Sequence, residues 1–139
     1  ARQSFKAFSE LLRLFPDSEY APDAQSKMKY LRNLLAQSEI RVAEYYIERG
    51  AYVAAVNRGR YVLENFQGSV AVPDGLAIMV EAYKMMDMED LAAKTLKVLV
   101  TNYPEHRSLD KNGNFKKTVN KGGGKTRNWL RTLTLGVFG

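Results

Sequence analysis

The chain has 139 residues, 45% of them hydrophobic and 26% charged, with no cysteine and a formal net charge of +6. That length fits one domain with a continuous core. The absence of cysteine excludes disulfides and thiolate metal sites, and no apolar run approaches the ~20 residues a membrane-spanning helix needs.

The charge is unevenly placed. Residues 1–104 are balanced, with 13 basic and 13 acidic side chains. Residues 105–139 carry Arg107, Lys111, Lys116, Lys117, Lys121, Lys125, Arg127 and Arg131 against only Glu105 and Asp110, which is the whole imbalance. The chain therefore divides into a neutral body, 1–104, and a basic, partly flexible tail, 105–139.

In chain order, residues 2–15 predict a helix, because Phe5, Phe8, Leu11, Leu12 and Phe15 recur at spacings of three and four. Pro16-Asp17-Ser18 ends it. Pro22 opens a second helix, since the first helical position needs no backbone N–H, and Asp23 suits the positive end of its dipole. Ala24, Met28, Leu31, Leu35, Val42, Ala43, Tyr46 and Ile47 carry it to about residue 49. At about 1.5 Å per residue it is roughly 40 Å long. Gly50 ends it, as a left-handed cap favours glycine. Residues 51–66 form the third helix, with Tyr52, Ala55, Val56, Gly59, Val62, Leu63 and Phe66 on one face. Gly59 is expected to let this helix approach the one holding Ala43. Pro73 and Asp74 open a fourth helix to about Met86, and Glu89 to Tyr103 is the fifth. Beyond Pro104 the periodicity weakens. Asn112-Gly113 is a turn signal, Gly122-Gly123-Gly124 a flexible break, and 126–135 a possible short amphipathic helix carrying Trp129, Leu130 and Leu133.

Three of these helices close alike: Phe8-x-x-Leu11-Leu12-x-x-Phe15-Pro16, Tyr61-Val62-Leu63-x-x-Phe66-Gln67 and Leu96-x-x-Leu99-Val100-x-x-Tyr103-Pro104. The closing turns are 51 and then 37 residues apart. A period in the thirties marks a helical array whose units bury their apolar faces on one another. The long second helix accounts for the wider first interval. Ala43, Tyr46, Gly50, Tyr52 and Ala55, with Tyr83, Ala92 and Pro104 in the next unit, resemble the tetratricopeptide pattern, although Gly59 stands where an aromatic is usual and Gln67 replaces the closing proline. The resemblance implies an all-α solenoid of antiparallel helix pairs, its first repeat truncated.

The run Val42-Ala43-Glu44-Tyr45-Tyr46-Ile47-Glu48-Arg49-Gly50-Ala51-Tyr52-Val53-Ala54-Ala55-Val56-Asn57-Arg58 is similar to a segment of the outer-membrane assembly lipoprotein family BamD, also called ComL. Phe15-Pro16, Tyr20-Ala21, Asp23-Ala24 and Asn102-Tyr103-Pro104 are similar to its flanking repeats. This resemblance covers about residues 1–104. It implies a periplasmic scaffold of the machine that folds and inserts β-barrel outer-membrane proteins. It also implies a POTRA domain of the barrel subunit and a second lipoprotein as partners, with membrane contact only through a lipid anchor upstream. Ala1-Arg2-Gln3-Ser4 shows neither a signal peptide nor a lipidated cysteine, so any targeting segment is expected further upstream. No cofactor is implied.

Exposed arginines are favoured at protein interfaces. Arg49, Tyr52, Asn57, Arg58 and Arg60 form the candidate partner-binding set. Arg49 and Arg58 stand foremost within it, because they fall in the family-like run and off the apolar lines, where the fold should not need them. Tyr45, Tyr46, Tyr52 and Tyr61 are expected to serve mainly as packing.

Sharper chemistries find little support. Gly122-Gly123-Gly124-Lys125-Thr126 lacks the first glycine of a phosphate loop, Val119 standing in its place. His106 has no recognisable co-ligands and reads as a solvated loop histidine. No nucleophile–base set is recognisable, so the chain reads as non-enzymatic. Two rivals to the scaffold reading are a generic repeat adaptor in another compartment and a nucleic-acid-binding module using the basic tail, with Trp129 stacking on a base.

Overall fold

The computed structural model describes residues 1–117. Five helices follow in order: α1 (Arg2–Leu14), α2 (Ala21–Glu48), α3 (Tyr52–Asn65), α4 (Val72–Met85) and α5 (Glu89–Asn102). Each boundary falls within about a residue of the sequence expectation. The punctuation explains this agreement. Pro22 and Pro73 sit in first turns with Asp23 and Asp74 beside them, and Gly50 ends α2 at φ +74°, where a side chain would be strained. Asp87 takes the same left-handed conformation between α4 and α5, at φ +57°.

Each helix packs on the next, and α2 also reaches α4. The main core joins Ala36, Ile40, Ala43 and Ile47 of α2 to Ala55, Val56 and Val62 of α3 and to Ile78, Met79, Ala82 and Tyr83 of α4. Helix α4 is the hub, with every residue from Gly75 to Tyr83 buried. The reason lies in its sequence: Leu76-Ala77-Ile78-Met79-Val80 is apolar all round, as a helix enclosed by neighbours must be.

Helix α1 is the opposite case. None of its residues is buried, although it packs on α2. Phe5, Phe8, Leu11 and Leu12 are half-buried, and Leu14 and Phe15 are exposed. Helix α1 thus leaves much of its apolar face uncovered among the described residues.

The close approach expected at Gly59 is present, but its partner differs from the expected one. A Cβ on Gly59 would lie 2.8 Å from the Gly75 carbonyl oxygen and 2.8 Å from Met79 Cγ, both on α4. Sequence phase set Gly59 on the buried face but could not say which neighbour that face meets. Across the contact, a Cβ on Gly75 would lie 3.0 Å from Leu63 and 3.2 Å from the Gly59 carbonyl. The two glycines together make the α3–α4 crossing.

Past α5 the chain folds back. Leu109 joins Leu76, Ala77 and Leu99 in a second cluster flanked by Val100, Tyr103 and Phe115. An isolated antiparallel bridge pairs Leu109 with Phe115. Gly113, at φ +78°, makes the turn between them. Helix α5 ends at Asn102, and beyond it Leu109 and Phe115 lie against α4 and α5. The readings of Gly122–Thr126, of 126–135 and of Trp129 fall outside the described residues.

Candidate docking surface around the α2–α3 turn

The surface is built on a tight helix–turn–helix. The Arg49 N–H donates to Tyr45 O at 3.1 Å, and the Ala51 N–H donates to Tyr46 O at 2.9 Å. Gly50 between them reverses the chain, and Tyr52 starts α3. Arg49 is exposed, with its guanidinium 5.2 Å from the centre of the Tyr45 ring. That cation–π contact orients the charge without consuming its donors. Tyr46 and Tyr52 are half-buried against the core, as expected of packing residues. Tyr45 and Tyr61 are instead exposed at 50% and 39%, so two of the four tyrosines present their rings to solvent.

Arg58 corrects the sequence reading, in which the fold does not need it. Its Nη1 donates to Glu39 Oε2 at 2.6 Å, tying α3 to α2. Glu39 is buried within the α2 apolar line between Ala36, Ile40 and Ala43. The bond to Glu39, and then its negative charge, hold the Arg58 guanidinium above its ordinary pKa, with Tyr46 adding a smaller contribution. Arg58 still keeps 41% of its side chain exposed. Arg2 of α1 stands 3.8 Å from the other Glu39 oxygen.

The five candidate residues do not make one cluster. Residues two apart on a helix point about 200° apart. Arg58 accordingly faces α2, while Arg60 reaches the other way to the Tyr83 hydroxyl on α4, 3.5 Å away. Asn57 is exposed between them. Arg49 and Tyr52 bracket the turn itself.

A second polar cluster was missed by sequence reasoning. The His106 side chain is only 9% exposed, contrary to the solvated loop position expected of it. Its Nε2 lies 3.0 Å from Asp74 Oδ1, and its Nδ1 lies 2.7 Å from Ser108 Oγ. The Ser108 backbone N–H also donates to Nδ1 at 3.3 Å, which assigns the ring proton to Nε2, donating to the Asp74 carboxylate. Ser108 is fully buried, so this Asp–His–Ser line pins the segment after α5 to the start of α4 and offers no accessible nucleophile. Arg107 completes the cluster, 3.0 Å from Asp74 and 3.9 Å from Glu44 of α2. His106→Ala is expected to release the 105–117 segment at a cost of about 1–2 kcal/mol. Faster hydrogen exchange at the Leu109 and Lys116 amides, with α2 and α3 unchanged, would show this. Unchanged protection there would mean that the Leu109 packing alone holds the segment.

Glu44 adds a pH dependence. Burial, the largest effect, raises its carboxyl above the ordinary value of 4.5. Asp74 and Glu48 push the same way, against Arg107 and Arg41. The unfolded chain therefore loses this proton first as pH rises, and Glu44 subtracts stability above its ordinary range. Glu44→Gln should raise the melting temperature slightly at pH 7 and leave it unchanged at pH 3. An equal shift at both pH values would contradict this account.

The described residues define a protein of five packed helices, with Arg49 displayed at the α2–α3 turn and Arg58 bound to Glu39 across the same helix pair. A family model for outer membrane lipoproteins, YfiO, matches residues 1–99, and the chain belongs to that family. The outer membrane protein assembly factor BamD of Neisseria gonorrhoeae is 44% identical over 104 residues, covering 75% of this chain and 39% of the relative. The proteins of the same name from Xylella fastidiosa and Pasteurella multocida are 39% identical over 105 residues and 38% over 101 residues. They are covered over 36% and 39% of their lengths, by 76% and 73% of this chain. The chain thus spans about two fifths of the curated relatives it matches.

Proposed function

We propose that the chain is part of a non-enzymatic scaffold at the periplasmic face of the outer membrane, within the machine that assembles β-barrel proteins there. Its tetratricopeptide-like stack docks a POTRA domain of the barrel subunit through the α2–α3 turn, and a further lipoprotein lies along the same stack. The relatives' name, outer membrane protein assembly factor, supports the setting.

The observation that carries the docking site is the pair Arg49 and Arg58. Arg49 is exposed and oriented on Tyr45, and Arg58 commits one nitrogen to Glu39 while remaining 41% exposed. A guanidinium offers five donors in a planar fork matched to carboxylates, so the partner surface should be acidic. Titrating the purified POTRA domain onto the chain tests this. Arg49→Glu should weaken binding at least about tenfold by replacing attraction with repulsion, while helicity and melting stay unchanged, because Arg49 has no ion pair among the described residues. Binding equal to wild type for both Arg49→Glu and Arg58→Gln would place the docking surface elsewhere.

A further inference from the structure

We infer that Glu39 is an internal competitor for the docking arginine, holding Arg58 in the free protein and setting how tightly a partner carboxylate can bind there. The inference rests on the docking reading above and adds to it a residue that touches no partner.

The geometry has three parts. First, Glu39 is a carboxylate in an apolar line, only 8% exposed, between Ala36 and Ala43, which are fully buried. Burying a carboxylate costs several kcal/mol unless it is paired, so Glu39 depends on its cations. Second, its Oε2 takes Arg58 Nη1 at 2.6 Å, a short charge-assisted bond. Third, Arg58 is only partly enclosed, at 41% exposure, so an incoming carboxylate can reach the same fork. It then meets the Glu39 charge across one guanidinium, at roughly 5–6 Å, where like charges in a partly screened setting repel appreciably. The partner must share Arg58 with Glu39 or draw it away. Arg2, 3.8 Å from Oε1 and 79% exposed, stands where it can close on Glu39 when Arg58 leaves. Either route makes the contact weaker and more reversible than a free arginine would.

A double-mutant cycle on the full chain tests this, with the purified POTRA domain of the barrel subunit as the probe. Glu39→Gln keeps the side-chain shape and removes the charge. It should tighten binding about tenfold and steepen its loss with salt. Arg58→Gln should weaken binding, and adding Glu39→Gln to it should then change nothing further. If Glu39→Gln leaves binding equal or weaker while melting is preserved, the competitor role is overturned but the docking reading stands. If Arg58→Gln has no effect in either background, the docking reading itself fails at Arg58. A measurement on the wild-type chain covers the case in which Glu39→Gln does not fold. Nitrogen NMR of the Arg58 guanidinium should show its Glu39 bond weakened or lost on POTRA addition, and a bond that persists unchanged overturns the inference.

Discussion

Gly59→Leu should lower the melting temperature by about 10 °C, equivalent to roughly 3 kcal/mol. Glycine inside a helix is unfavourable by about 1 kcal/mol relative to alanine, so leucine or alanine at residue 59 begins with an advantage of up to about that size. It is outweighed because a Cβ there would meet the Gly75 carbonyl oxygen and Met79 Cγ, each at 2.8 Å. Met79 can move aside, but the backbone carbonyl of Gly75, held in the first turn of α4, cannot. The helices would have to separate, opening the core around Ile78 and Val62, which are almost fully enclosed. Gly59→Ala should show the same sign at smaller size. A melt unchanged by Gly59→Leu would mean that α3 and α4 do not cross at this point.

Arg58→Glu should have two effects, and the structure reverses the sequence expectation for one of them. Sequence reading leaves stability untouched, because residue 58 lies off the apolar line. The structure sets it against Glu39, whose side chain is only 11% exposed. The substitution removes a buried carboxylate's main counter-charge and adds a second carboxylate. The expected cost is about 2 kcal/mol, between the values for exposed and fully buried pairs because Arg58 itself is partly solvated. The second effect is loss of partner binding. Adding Glu39→Gln should restore much of the stability and none of the binding, which separates the two roles in one pair of melts and titrations. Failure of Glu39→Gln to recover stability would show that the two side chains are not coupled.

These cases mark where the sequence was legible. The five helices followed from apolar spacing together with Pro22, Gly50 and Pro73, signals that lie within a few residues of what they determine. The length of α2 followed from the absence of any breaker across it. The cross-helix partners did not follow. Arg58 and Glu39 are 19 residues apart, and His106 and Asp74 are 32 apart. Linear spacing carries no information about the rotation of one helix against its neighbour. One signal was available for the first pair: a glutamate on an apolar line, between Ala36 and Ala43, requires a cation from another element. None was available for His106, because Glu105-His106-Arg107 is locally polar and its burial depends on Leu109 reaching the second core cluster. Arg58 and Arg60 read as one patch in sequence, yet the helical twist sends them to opposite sides of α3.

The most direct test of the docking account is hydrogen–deuterium exchange on the full chain, with and without the purified POTRA domain. The account predicts protection concentrated at the end of α2 and the start of α3, about residues 45–60, with α1 and residues 105–117 exchanging as in the free chain. Protection confined to α1 or to 105–117, with 45–60 unchanged, would contradict it.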